Sequence, residues 1–134
     1  MMINDLVAFG PNFTFILKGT IITLQYSVTS VFLGMILGTL LAICKVVDNK
    51  FLRVFAASYT SIFRGTPMLV QLTIIYFGLP GLTGVKFSVF TAGIIAFSLN
   101  SGAYVSEIIR AGINAVDKGQ VEAAKALGIP PILR

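Results

Sequence analysis

Three stretches of the chain hold no charged residue at all: 19–44, 65–85 and 87–106. Crossing the hydrocarbon core of a bilayer takes about 20 apolar residues as a helix, and each stretch reaches that length. In lipid the backbone must satisfy its own polar groups, which makes helices the default over strands. The pattern predicts an all-α integral membrane protein. Three membrane-crossing helices are expected at about 15–45, 53–80 and 87–109, after an external segment at 1–14. A short helix is expected beyond them, at about 118–127.

Within the first stretch Ser30, Gly34, Gly38 and Ala42 recur every four residues and share one helical face. Small residues in that spacing let a neighbouring helix approach closely. The neighbour is either another helix of this chain or a second copy. The second stretch is interrupted at its start by Arg64-Gly65-Thr66-Pro67. Proline removes a backbone hydrogen bond and clashes with the preceding turn, so a kink is expected near Thr66. Arg64 then lies near the interface, where it either extends its guanidinium to lipid headgroups or pairs with a partner. The segment from Gly78 to Gly84 reads as a tight external connection.

The third stretch contains Ser98, Asn100, Ser101 and, towards its end, Glu107. Polar groups at membrane depth face a bundle interior or a cavity. Asn100 is either a pathway residue or one side of an interhelical hydrogen bond. Gln71, Asn100 and Ser101 are the candidates for meeting a polar solute near the midplane. Glu107 and Arg110 are three apart and are expected to pair on the helix surface.

Composition supports the membrane reading. Hydrophobic residues make up 56% of the 134 and charged ones only 11%, against about a quarter charged in soluble domains. The segment from Met1 to Pro11 has no Lys or Arg and carries Asp5, unlike a secretory signal, so the first helix is read as retained. A single cysteine, Cys44, allows no internal disulfide. There is no histidine, which excludes a His-ligated metal site and a Ser–His catalytic pair. The net charge of +5 does not point to nucleic acid, because the basic residues gather at the ends of apolar stretches. Lys45, Lys50, Arg53, Arg110, Lys118, Lys125 and Arg134 fall on one side, Lys18 and Lys86 on the other. The positive-inside rule then puts the N-terminus outside and the C-terminal tail in the cytoplasm.

The tail carries the most local information. Asp117 followed by Gln120 is a capping-box pattern with Val116 and Val121 at staple positions. Ala123, Ala124 and Ala126 favour helix. Gly128 suits the left-handed residue that ends one. Pro130 and Pro131 prevent continuation, and Pro131 suits the first turn of another helix. Val121, Ala124 and Leu127 give the helix a small apolar face beside Glu122 and Lys125. Such a helix fits a groove on a partner or lies on the membrane surface.

Glu122-Ala123-Ala124 with Gly128 four residues after Ala124 resembles the EAA motif of permease subunits of bacterial ABC importers. Gly19-Thr20, Thr23-Leu24, Ser27, Ser30 and Gly34 are similar to the first span of the polar amino acid (histidine/glutamine) uptake type. Arg64 to Pro67 with Gln71 and Tyr76 to Pro80 resemble its second span. Leu99 to Tyr104 with Glu107, Arg110 and Gly112 resemble its third, and Lys118-Gly119-Gln120 also fits.

The resemblance implies a type-1 ABC transmembrane domain over 15–134, in the bacterial inner membrane, importing a polar amino acid such as glutamine. It implies a second permease subunit, identical or not, a cytoplasmic ATP-binding subunit and an external solute-binding protein. Glu122, Ala123, Ala124, Leu127 and Gly128 would form the helix that couples to the ATPase. No phosphate-binding loop of the form Gly-x4-Gly-Lys-Ser/Thr occurs in the chain, so ATP hydrolysis is expected elsewhere and the chain is not expected to be an enzyme. The family pattern continues beyond Arg134 with further spans, which implies an incomplete domain, the front part of a longer permease. The competing readings are a secondary transporter fragment, which needs no ATPase, and a membrane anchor with a docking tail.

Overall fold

The computed structural model describes residues 2–130, with side chains over 13–117 and 119–130. Pro131 and Arg134, which carried parts of the expectations above, lie outside the described residues. Among the described residues six α-helices follow in order: α1 (Met2–Val46), α2 (Lys50–Gly65), α3 (Met68–Thr73), α4 (Leu79–Thr83), α5 (Val89–Asn114) and α6 (Lys118–Ala126). A π-helical turn, Ile74–Gly78, joins α3 to α4. No strand occurs among the described residues.

The first helix is longer than the expected 15–45. It runs unbroken from Met2, and Phe13–Val46 is the part apolar enough to cross a membrane. Those 34 residues, at about 1.5 Å each, exceed a hydrocarbon core of about 30 Å. The helix therefore tilts or projects beyond it. Val89–Asn114 is the second helix of crossing length and likewise runs past the expected 109.

α1 and α5 run side by side and parallel. Tyr26 sits against Gly93, Gly34 faces Ser101, Gly38 faces Val105 and Lys45 meets Ser106, so residue numbers rise together along both helices. The fit is steric. A Cβ on Gly34 would lie 2.5 Å from Ser101 Oγ, and one on Gly38 would lie 2.6 Å from Val105 Cβ. The small face at Ser30, Gly34, Gly38 and Ala42 is thus occupied by a helix of the same chain. The interior is built of small residues, with Ala42, Ala56, Ala92, Ala96 and Ala103 fully buried, while Phe15, Val28, Phe32, Ile108 and Leu82 face outward. This reverses the usual sorting of soluble proteins. It follows from a lipid surround, where large apolar side chains gain nothing by turning inward and backbones gain by close approach.

Between the parallel pair the chain must return, and here the expected span 53–80 is broken into two arms. α2 starts on Asn49, whose side chain accepts from Phe51 N and Leu52 N. It ends at Gly65. Thr66 and Pro67 are extended, and the arm 68–83 departs at 105°, far more than the expected kink. The stretch 78–84 is not an open loop, because helix continues to Thr83 and the turn comes at Gly84, with φ 75°. Pro80 cannot donate to Tyr76 O, and Leu79 N bonds instead to Ile74 O, five residues back, so a π turn absorbs the proline. Ile75 then packs with Ala92 and Ala96 of α5, supported by Met68, Leu72, Tyr76 and Leu99.

Candidate functional site

The junction of α2, α3 and α5 brings two of the three candidate polar residues together. Gln71 is buried. Its Nε2 donates to Phe63 O at 2.8 Å and lies 3.0 Å from Thr66 O and 2.9 Å from Thr66 Oγ1. Asn100 Nδ2 donates to Phe63 O and to Gln71 Oε1, both at 3.2 Å. Beside them the Tyr59 hydroxyl donates to Leu99 O at 2.9 Å. Arg64, whose role the sequence left open, lies over the Tyr104 ring at 5.4 Å, a cation–π contact that joins α2 to α5.

A cavity of about 650 Å³ opens between α1, α3 and α5. Asn100 and Ser101 line it; Gln71 does not, and reaches it only through Asn100. Tyr26, Ser27, Ser30 and Leu72 also form its wall. Ser30 is 4% exposed and its hydroxyl has no partner. Most membrane-depth threonines here return their hydroxyl to the carbonyl four residues back, as Thr20, Thr23 and Thr39 do. Ser30 does not, leaving a buried donor and acceptor at the cavity wall. Neither Ser30 nor Tyr26 was distinguished as a pathway residue by the sequence. A serine on a small-residue face reads as packing, and nothing local marks it as unsatisfied.

At the far end of α1 and α5 lies a polar cluster. The expected Glu107–Arg110 pair forms, with Arg110 Nη2 2.7 Å from Glu107 Oε2. The other carboxylate oxygen holds Lys45 Nζ at 2.6 Å. Lys45 was counted among charges at a membrane border, yet its side chain is only 4% exposed. Its three N–H groups go to Glu107, to Thr60 Oγ1 at 3.0 Å and to Ser106 Oγ at 3.1 Å, which accounts for all its donors. Three helices, α1, α2 and α5, are tied at one point. The sequence signal was slight: a carboxylate inside an apolar helix calls for a cation, without saying which one.

α6 follows just beyond this cluster and covers nearly the whole of the expected 118–127. The Asp117 side chain caps Gly119 N at 2.7 Å, one residue short of the capping-box contact to Gln120. At the other end Gly128 takes φ 71°. Gly128 N bonds Lys125 O and Ile129 N bonds Ala124 O, each at 3.0 Å, the two bonds of a Schellman ending. Glu122, Ala123 and Leu127 are exposed, Leu127 at 80%, with Ala124 half-buried. Among the described residues α6 forms no substantial interface with the other helices.

Parallel spans packed through glycine, a bent return arm and a capped helix past the last span make up an all-helical membrane domain. The chain belongs to the family of binding-protein-dependent transport system inner membrane components, whose model matches residues 30–134. It is an inner-membrane protein that crosses more than once. A relative from Rickettsia bellii (strain RML369-C), provisionally named a glutamine transport system permease protein, is 64% identical over 132 residues, 98% of this chain and 61% of its own length. The arginine transport system permease protein of Bacillus subtilis (strain 168) is 55% identical over 126 residues, 94% of this chain and 58% of its own. A crystal structure of an amino acid ABC transporter with histidines matches at TM-score 0.85 and 43% identity, covering 96% of this chain and 58% of that one. The chain therefore spans about three fifths of the length of these relatives.

Proposed function

We propose that this chain is part of the permease of an ATP-driven importer that moves a polar amino acid, glutamine or a close relative of it, across a bacterial inner membrane. The observation that carries this reading is α6, a helix closed at both ends by its own residues and held clear of the bundle. A nine-residue helix gains little from propensity alone. Its caps keep it formed while its faces stay available to a partner. Glu122, Ala123, Ala124, Leu127 and Gly128 are assigned to contact with a separate ATP-binding subunit, which hydrolyses the ATP. A second permease subunit and an external solute-binding protein complete the importer.

Orientation follows from charge. α1 and α5 are parallel, so Lys50, Arg53, Arg110 and Lys125 gather at or beyond their shared C-terminal ends, whereas Lys18 and Lys86 do not. The positive-inside rule makes that shared end cytoplasmic, together with α6, and the N-terminus external. Asn100 and Ser101 on the cavity wall are assigned to the substrate path, with Gln71 acting through Asn100. ATP drives transport by binding better to one of two states of the assembly, which shifts the permease between inward- and outward-facing forms.

The test is uptake by the assembled importer in proteoliposomes. Gly128→Pro and Glu122→Lys are expected to lower ATP-driven glutamine uptake at least ten-fold while membrane insertion, read by carbonate extraction, persists. Normal uptake by either variant alongside an active ATPase would sink the assignment of α6.

A further inference from the structure

The bend between α2 and α3 is not fixed by its proline. Pro67 has no N–H, so Phe63 O, four residues earlier, loses its helical partner. That requires a missing bond; it does not require 105°. In the structure the orphaned carbonyl is claimed by two side-chain amides, Gln71 Nε2 from the far arm and Asn100 Nδ2 from α5. Gln71 also reaches Thr66 O, another carbonyl at the break, and its Oε1 accepts from Asn100. One amide reaches back across the joint and the other fastens both sides of it to α5.

Asn100 has a second position in the fold. It lines the cavity between α1, α3 and α5, as does Leu72, the neighbour of Gln71. Both contacts of its Nδ2 serve the joint. A hydrogen-bond acceptor in the cavity can take this amide only by drawing it from Phe63 or Gln71. An ionised carboxylate is a stronger acceptor than either neutral carbonyl.

We propose that Gln71 and Asn100 form a latch that sets the angle between α2 and the 68–83 arm, and that a carboxylate-bearing ligand entering the cavity releases it through Asn100. The latch stands on the geometry of the joint. The release rests on reading the chain as an amino acid permease. Gln71 is then a positioning residue that acts through Asn100, Asn100 is the group that meets the ligand, and the arm that packs Ile75 and Leu72 against α5 is the part that moves.

The experiment measures the distance between spin labels at Val54 on α2 and Leu82 on α4, both exposed, in the full chain carrying Cys44→Ser in lipid nanodiscs. The unmodified joint is expected to give one narrow distribution. Gln71→Met and Asn100→Leu, close in size to the originals, are each expected to broaden it and move it to longer distance as the arms straighten. The double variant should go no further than the singles, since both act on one unit. Unchanged narrow distributions in the single variants overturn the latch. On the unvaried joint, saturating L-glutamine should produce the same lengthening, and L-glutaminol, which lacks the carboxylate, should not. Glutamine that binds in a radioligand assay yet leaves the distance unchanged overturns the release. Absence of glutamine binding overturns the release together with the permease reading, and the latch is then judged on the variants alone.

Discussion

The seam between α1 and α5 and the joint between α2 and α3 solve the same problem in opposite ways. Both must hold helices together in a surround as apolar as their own side chains, so ordinary hydrophobic burial offers little. The seam does it by bringing backbones close. Gly34 and Gly38 leave no room for a Cβ against Ser101 and Val105, and along this central part no side-chain hydrogen bond joins the helices among the described residues. The joint does it with hydrogen bonds from Gln71, Asn100 and Tyr59 to backbone carbonyls. Close packing tolerates small changes of angle but not of volume. Hydrogen bonds tolerate changes of volume at their edges but not of angle. The chain therefore has one stiff pair and one arm whose direction depends on a few amides.

The contrast can be broken most severely at the Lys45–Glu107 cluster, where α2 is tied to the α1–α5 seam. Glu107→Leu leaves Lys45 buried beside only Thr60 and Ser106. Removing one partner of a buried pair costs about 3–5 kcal/mol, so thermal unfolding in detergent should show the largest loss of any single change here. A melting curve within a degree or two of the parent would mean that water reaches Lys45 and the cluster is not a fastening point. At the seam, Gly34→Val should cost about 1–3 kcal/mol by overpacking. Gly112→Ala, with nothing near a new Cβ, should gain about 0.5 kcal/mol from helix propensity. Equal effects from the two would remove steric closeness as the basis of the seam. The smallest loss is expected at the joint. Tyr59→Phe loses one hydrogen bond to Leu99 O, worth about 0.6 kcal/mol in a membrane. Its melting curve should barely move, whereas amide exchange at Ala103, whose helical bond shares that carbonyl, should change. A large fall in stability would show that the joint is packed rather than hydrogen-bonded.

Legibility followed the range of each interaction. Both ends of α6 could be read in advance because Asp117 and Gly128 act on backbone groups within one turn. Only the detail that Asp117 caps Gly119 instead of Gln120 was missed. The face at Ser30, Gly34, Gly38 and Ala42 was legible as a packing face, but whether its partner was internal was not. Glu107–Arg110 was legible at three residues' separation; Lys45–Glu107, 62 residues apart, was not. The stretch 78–84 misled because three glycines and a proline signal a turn, whereas packing of the 68–83 arm on α5 carries the helix through Pro80 with a π turn.

The sequence by itself determined that the chain lives in a membrane, where its helices lie to within a turn or so at most ends, that the second stretch must break at Pro67, and that a capped helix follows the last span. Those features depend on apolar length and on contacts within a few residues. Tertiary structure alone decided the angle of the break, the inward turn of Lys45, and the separation of Gln71 from the cavity that Asn100 and Ser101 share. Each depends on which helix lies opposite. A side chain's identity states what it can bond, and only the position of a partner tens of residues away states what it does bond.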